Sequence, residues 1–169
     1  MVGELRKPRD AGDHSRAHTN GDVETDIRLV VAGSRTIYDY ARFRDWMDQL
    51  VNRTLHECGI SKDALIVVTG MASGGPDDMA YHYARWDRQL RWEEHPANWE
   101  RHGKSAGFIR NTAMAKASDR ALVIYDGHSS GTKHMLEQCA KHVPMTVLYV
   151  IKSEEQPFIG EFFELKDRL

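Results

Sequence analysis

Two kinds of hydrophobic pattern alternate along the chain from residue 26 onward. Ile27 to Ala32 (IRLVVA), Ala64 to Thr69 (ALIVVT), Arg120 to Tyr125 (RALVIY) and Met145 to Ile151 (MTVLYVI) are short, nearly continuous apolar runs. Runs without polar alternation predict strands covered on both faces, as in a parallel sheet. The first two run directly into Gly33 and Gly70. Leu90 to Glu94 is a more polar strand candidate ending near Pro96, and its charges predict a less buried place in the sheet.

Helical patterns separate these runs. From Tyr40 to Cys58 the stripe Phe43, Met47, Leu50, Val51 and Leu55 recurs at helical spacing, and Gly59 follows as a stop signal. Further helices are predicted over Asp77 to Arg88, Lys104 to Ala117 and Thr132 to His142. Strands joined by helices through short connections require right-handed crossovers. The fold class is therefore α/β, a Rossmann-like, mostly parallel sheet flanked by helices.

At 169 residues the length fits one domain. Residues 1–25 hold few apolar side chains among charges and glycines, the composition of a flexible tail. Residues 26–152 form the expected domain, and 153–169 a C-terminal extension packing on it through Phe158, Ile159, Phe162, Phe163 and Leu165. A net charge of -2 offers no global attraction to polyanions, so nucleic acid is disfavoured as a partner. No apolar run reaches the length of a membrane span and the first residues lack a secretory pattern, which predicts a cytoplasmic protein without membrane contact. Cys58 and Cys139 have no metal or redox spacing and read as two buried free thiols.

In an open α/β sheet, ligands bind outside the carboxyl ends of the strands. Three loops qualify. Gly33-Ser34-Arg35-Thr36 combines a small residue, a hydroxyl and a forked cation. Gly70 to Asp78 (GMASGGPDD) places Gly70, Ala72, Gly74, Gly75 and Asp77 in a turn opening a helix, with Pro76 suited to the first helical turn. In Gly127 to Thr132 (GHSSGT), Ser130, Gly131 and Thr132 offer backbone amides and hydroxyls to a phosphate at a helix N-terminus. Each loop also has a plain structural reading, as a glycine turn, a tight connection with acids complementing a helix dipole, or a serine cap. Between the second and third loops, His95 to Asn111 gathers Trp99, His102, Lys104, Arg110 and Asn111, a stacking face with cations. The nine histidines follow no metal pattern and no Walker loop is present, so neither a metal nor a cofactor is implied.

Together these residues resemble the YspA-like, cpYpsA-related family of the SMF/DprA–LOG superfamily, over about residues 27–150. The likeness rests on Gly33-Ser34-Arg35 with Asp39, the glycine loop leading to Asp77 and Ala80, and Pro96 and Trp99. Gly103-Lys104-x-Ala106-Gly107-x-x-Arg110-Asn111, Met114 and Gly131-Thr132 complete it. The resemblance implies a Rossmann-like fold and a nucleotide or nucleotide-derived ligand. Asn98 stands where the family usually has aspartate, and the second loop is one residue longer than is common. The related LOG enzymes cleave nucleoside monophosphates with a glutamate three residues after the threonine that corresponds to Thr132. Met135 holds that position here, and Glu137 lies about 200° further round the helix, so catalysis does not carry over to it.

The leading expectation is a binding protein for a nucleotide or an NAD- or ADP-ribose-derived molecule, acting as a sensor, a regulator or a phage-encoded trap. The alternatives are an N-glycoside hydrolase using Asp77, Asp126 or Glu137, and a single-stranded DNA binder, which the balanced charge disfavours. The resemblance and the prospect of exposed Trp86 and Trp92 also predict a homo-oligomer.

Overall fold

The computed structural model describes residues 24–151 and 160–166. The expected N-terminal tail up to residue 23, together with Phe158 and Ile159, lies outside the described residues. Five strands, β1 (Ile27–Gly33), β2 (Leu65–Thr69), β3 (Arg91–Glu94), β4 (Arg120–Tyr125) and β5 (Met145–Ile151), are parallel, and β6 (Gly160–Lys166) pairs antiparallel with β5. Their order is β3-β2-β1-β4-β5-β6. β1 and β4 therefore stand side by side at the centre. This reversal of winding opens a crevice at the carboxyl ends of the strands, the place where such sheets bind ligands.

Beyond Arg28 and Arg120 near their starts, the central strands β1 and β4 are apolar because both faces are covered. Leu29 and Val31 of β1 join Phe43, Met47 and Leu50 of α1 (Tyr40–Cys58) and Met79 and Ala80 of α2 (Gly75–His82) in one core layer. Val30 and Ala32 face the other way, against Met114 and Ala115 of α4 (Ala106–Lys116) and Met135 and Cys139 of α5 (Ser130–His142). Gly59 ends α1 in the left-handed region, at φ 63°.

Several boundaries differ from the sequence reading. The helix expected over Asp77–Arg88 begins at Gly75, because Gly74 and Gly75 take positive φ and bring Pro76 into the first turn. It also loosens into a π turn over Tyr83–Asp87, where the Arg88 amide reaches back five residues to the Tyr83 carbonyl. Tyr83 is buried there, and its hydroxyl donates to Asp48, which also holds Arg88. The helix expected over Lys104–Ala117 is preceded by a short α3 (Trp99–His102) and a 3-10 turn over Gly103–Ser105. Asn98 caps α3 by accepting from the Arg101 amide, a role an aspartate would fill equally well. Of the two thiols only Cys139 is buried; Cys58 is half-buried, its sulfur 3.2 Å from an Arg120 guanidinium nitrogen. Within the C-terminal extension, residues 160–166 form the strand β6 along the outer edge of β5.

Candidate functional site

A cavity of about 500 Å³ opens at the carboxyl ends of β1, β2 and β4. It is walled by the loops after these strands and by the segment from α3 to the start of α4. Of the residues singled out in the sequence, Gly33, Arg35, Ala72, Asp77, Trp99, Lys104, Arg110, Asn111, Ser130, Gly131 and Thr132 line it. Ser34, Gly70, Gly74 and Gly75 do not line it, and stand behind the wall.

These four have structural work that explains their residue types. Ser34 is buried; its hydroxyl donates to Thr132 Oγ1 at 3.2 Å and accepts from the Asp126 amide at 3.1 Å, tying the first loop to the third. A Cβ on Gly70 would stand 2.2 Å from Arg110 Nη1, so the missing side chain is the space into which that guanidinium folds. Gly75 combines φ 72° with an approach in which a Cβ would come within 2.9 Å of Arg35 Cα, which locks the first two loops together. Gly74, at φ 75°, supplies the turn that starts α2.

Arg110 comes from α4 and is half-buried. Its guanidinium donates through Nη1 to the Gly70 carbonyl and through Nε to Asn111 Oδ1 at 3.1 Å. Asn111 is buried and donates in turn to the Gly131 carbonyl at 3.1 Å, so one short chain of hydrogen bonds joins the second and third loops. Burial pushes the Arg110 guanidinium below its ordinary range while Asp77 opposes the change. Arg35 and Lys104 also reach the cavity, and among the described residues neither is hydrogen-bonded or ion-paired through its cationic group.

Asp77 occupies the floor and is only 5% exposed. Its Oδ1 accepts from the Gly70 amide at 3.2 Å, and its carbonyl accepts from Thr69 Oγ1 at 2.9 Å. Burial raises its carboxyl to about 6, against the pull of Arg110, the Gly70 and Gly33 amides and Arg35. Asp126 behaves in the opposite sense. Burial works to raise it, but the amides of Ser129 and His128, both 2.9 Å from Oδ1, together with the Thr36 hydroxyl, outweigh that and hold it below the usual aspartate value.

The third loop delivers the N-terminus of α5 to the cavity. Ser129 caps that helix by accepting from the Thr132 amide at 3.3 Å. A Cβ on Gly131 would meet nothing within 4 Å. Opposite, Trp99 is 58% exposed and lies against Gly107, where a Cβ would come 3.5 Å from the ring. Phe108, 44% exposed, stacks on His134 with ring centroids 4.5 Å apart and presents a second aromatic face to the cavity.

The profile of the YspA, cpYpsA-related SLOG family matches residues 27–102. That stretch runs from β1 to the end of α3 and contains the first two loops, Pro96 and Trp99. Gene 61 protein of Mycobacterium phage D29 is 34% identical over 119 residues, which cover 68% of this chain and 89% of that protein. The chain belongs to this SLOG family. Membership suggests a nucleotide-related ligand. The glycine, lysine and arginine motif of Gly103 to Asn111 and the Gly131-Thr132 pair lie beyond the matched stretch, yet they close the same cavity.

In this SLOG protein the sequence reading left out of its ligand set Ala32, Thr36, Gly107, Phe108, Asp126, Ser129 and Met135, which also line the cavity. Thr36, Asp126 and Ser129 sit inside or beside loops already noted, so proximity in sequence was a usable signal. Phe108 lies within the Gly103 to Asn111 motif, two residues before Arg110, and that proximity was its signal. Among the described residues no group of three or more histidines, cysteines or carboxylates gathers as a metal site. Among the same residues, no helix is long and apolar enough to cross a membrane.

Proposed function

We propose that this cavity binds a phosphate-bearing molecule derived from a nucleotide, of the NAD or ADP-ribose class, and that the protein acts as its sensor, regulator or sequestering partner. The observation that carries this reading is the meeting in one cavity of two cations that make no hydrogen bond or ion pair among the described residues, the N-terminus of α5 and two exposed aromatic faces. The phosphate lies at the amides of Ser130 and Gly131, where the helix dipole and Arg35 or Lys104 favour an anion. The base stacks on Trp99 or Phe108. A volume of about 500 Å³ suits a ligand of nucleotide to dinucleotide size.

Thermal denaturation of the full chain against AMP, ADP, NAD, ADP-ribose and cyclic ADP-ribose tests this. Ligand at a hundred times its Kd stabilises the native state by about 2.7 kcal/mol, a rise of several degrees in Tm. No rise with any of the panel at millimolar concentration overturns the reading.

Asp77 favours a second reading, N-glycoside hydrolysis. A carboxyl raised to about 6 at the floor of the cavity keeps a protonated fraction near neutral pH and could protonate a departing base. Chromatography of nucleoside monophosphates incubated with the protein decides it, since free base would appear only if this reading holds.

A further inference from the structure

The sheet edge at β3 carries an aromatic cluster away from the cavity. Trp86 is 62% and Trp92 39% exposed, and the Arg85 guanidinium lies 4.7 Å from the Trp86 ring centroid and 5.6 Å from that of Trp92. Tyr81 meets Trp92 edge-on with centroids 6.0 Å apart. Exposed tryptophans and arginine gathered in one patch beside a half-buried tyrosine have the composition of an interface centre, not of a solvated surface.

The backbone beside this patch is unpaired among the described residues. The His95 amide donates to the Thr69 carbonyl, so His95 faces β2, and strand alternation turns Glu93 and Arg91 the same way. The N–H and C=O groups of Trp92 and Glu94 therefore point outward, away from the sheet. The strand carries both signs of charge, Arg91 followed by Glu93 and Glu94, so that it can meet a second copy of itself in a complementary register.

We infer that β3 pairs antiparallel with β3 of a second copy of this chain across a two-fold axis at Trp92. A two-fold axis perpendicular to the sheet keeps side chains on their own faces only if a residue meets its own equivalent. Centring on Arg91, Glu93 or Glu94 would oppose like charges, which destabilises a strand pair. Centring on Trp92 instead sets Arg91 against Glu93 twice, and lets the two outward-facing Trp92 backbones exchange both hydrogen bonds. Arg91 keeps its existing pair with Asp26, and Glu93 its pairs with Arg28 and His95, on side chains that remain partly exposed. The aromatic clusters of both copies then lie on one face of a continuous sheet and cover each other. This inference is independent of the ligand reading, because its readout is mass.

Light scattering coupled to size exclusion, with sedimentation equilibrium on the full chain, tests it. The parent is expected to run as a dimer at tens of micromolar, and Trp92→Glu as a monomer with unchanged circular dichroism. Arg91→Glu and Glu93→Arg should each raise the dimer Kd by roughly tenfold or more, and an equimolar mixture of the two variants, in which the acids of one copy face the arginines of the other, should associate at least roughly tenfold more tightly than either variant alone. The charge exchange keeps the question answerable even if Trp92→Glu fails to fold. A monomeric parent overturns the proposal, as does a dimer that the single charge variants leave unchanged.

Discussion

Arg35 and Arg110 look alike in sequence, but the structure assigns them different surroundings. Arg110 is half-buried and bonded to Gly70 and Asn111, so Arg110→Ala should lower both ligand affinity and Tm, the latter by about 2–6 °C for a loss of one to two hydrogen bonds. Arg35→Ala should weaken binding of ADP-ribose roughly ten- to a hundredfold and leave Tm unchanged, since a charge-assisted bond is worth about 1.5–3 kcal/mol. Gly131→Asp should damage binding most, because its side chain has open space to enter and brings a carboxylate to the anion site. Calorimetry with circular dichroism on the three variants separates these outcomes. Asp77 adds a pH dependence. ADP-ribose, whose diphosphate does not titrate in this range, should bind more tightly as pH falls through about 6, because protonation removes the negative charge facing it. The sign for stability is the same. A carboxyl raised from 3.8 in the unfolded chain contributes stability fully present below 3.8 and lost as pH rises through about 6. Asp77→Asn should flatten both profiles, and a binding profile for the parent that is already flat from pH 5 to 7.5 would contradict this account.

Among the elements, the helix starts divide into those that hold the fold and those that face the ligand. Asp39, part of the motif that opens the family resemblance, caps α1 by accepting from the Arg42 amide at 3.0 Å. It does not line the cavity. Asp39→Ala should therefore cost about 1 kcal/mol, a fall in Tm of roughly 2–4 °C, with ligand affinity unchanged and with Asp39→Ser restoring the loss. A changed affinity in that variant would place Asp39 in the binding machinery instead. At α5 the cap and the site coincide, since Ser129 both holds the Thr132 amide and lines the cavity. The π turn after α2 shows how a tertiary contact reshapes an element. Burying the Tyr83 ring while its hydroxyl reaches Asp48 on α1 widens the last turn of an otherwise ordinary helix.

At the scale of the whole molecule, β5 is an interior strand only because β6 pairs with it from Met145↔Lys166 to Ile151↔Gly160. Deleting residues 152–169 should expose a long apolar edge, lower Tm by several degrees and promote aggregation, as followed by thermal denaturation and light scattering. A truncated chain as stable and monodisperse as its parent would show that β6 is dispensable. The succession of strands and helices, the parallel character of the sheet and the three loops were all legible in the sequence. Continuous apolar runs report burial on both faces, and glycines at strand ends report turns, and both are local properties. The grouping of Arg35, Asp77, Arg110 and Gly131 was legible as well, because the carboxyl ends of parallel strands must lie on one side. What only the tertiary structure decided was which residues touch the cavity and which stand behind it. Ser34 and Gly70 carry the same local signal as Arg35 and Gly131, yet one is buried in hydrogen bonds and the other makes room for a guanidinium. The same holds for the two carboxylates. Asp77 and Asp126 follow strands in similar loops, and their opposite shifts arise from how many donors the fold brings within reach of each, which local sequence does not encode.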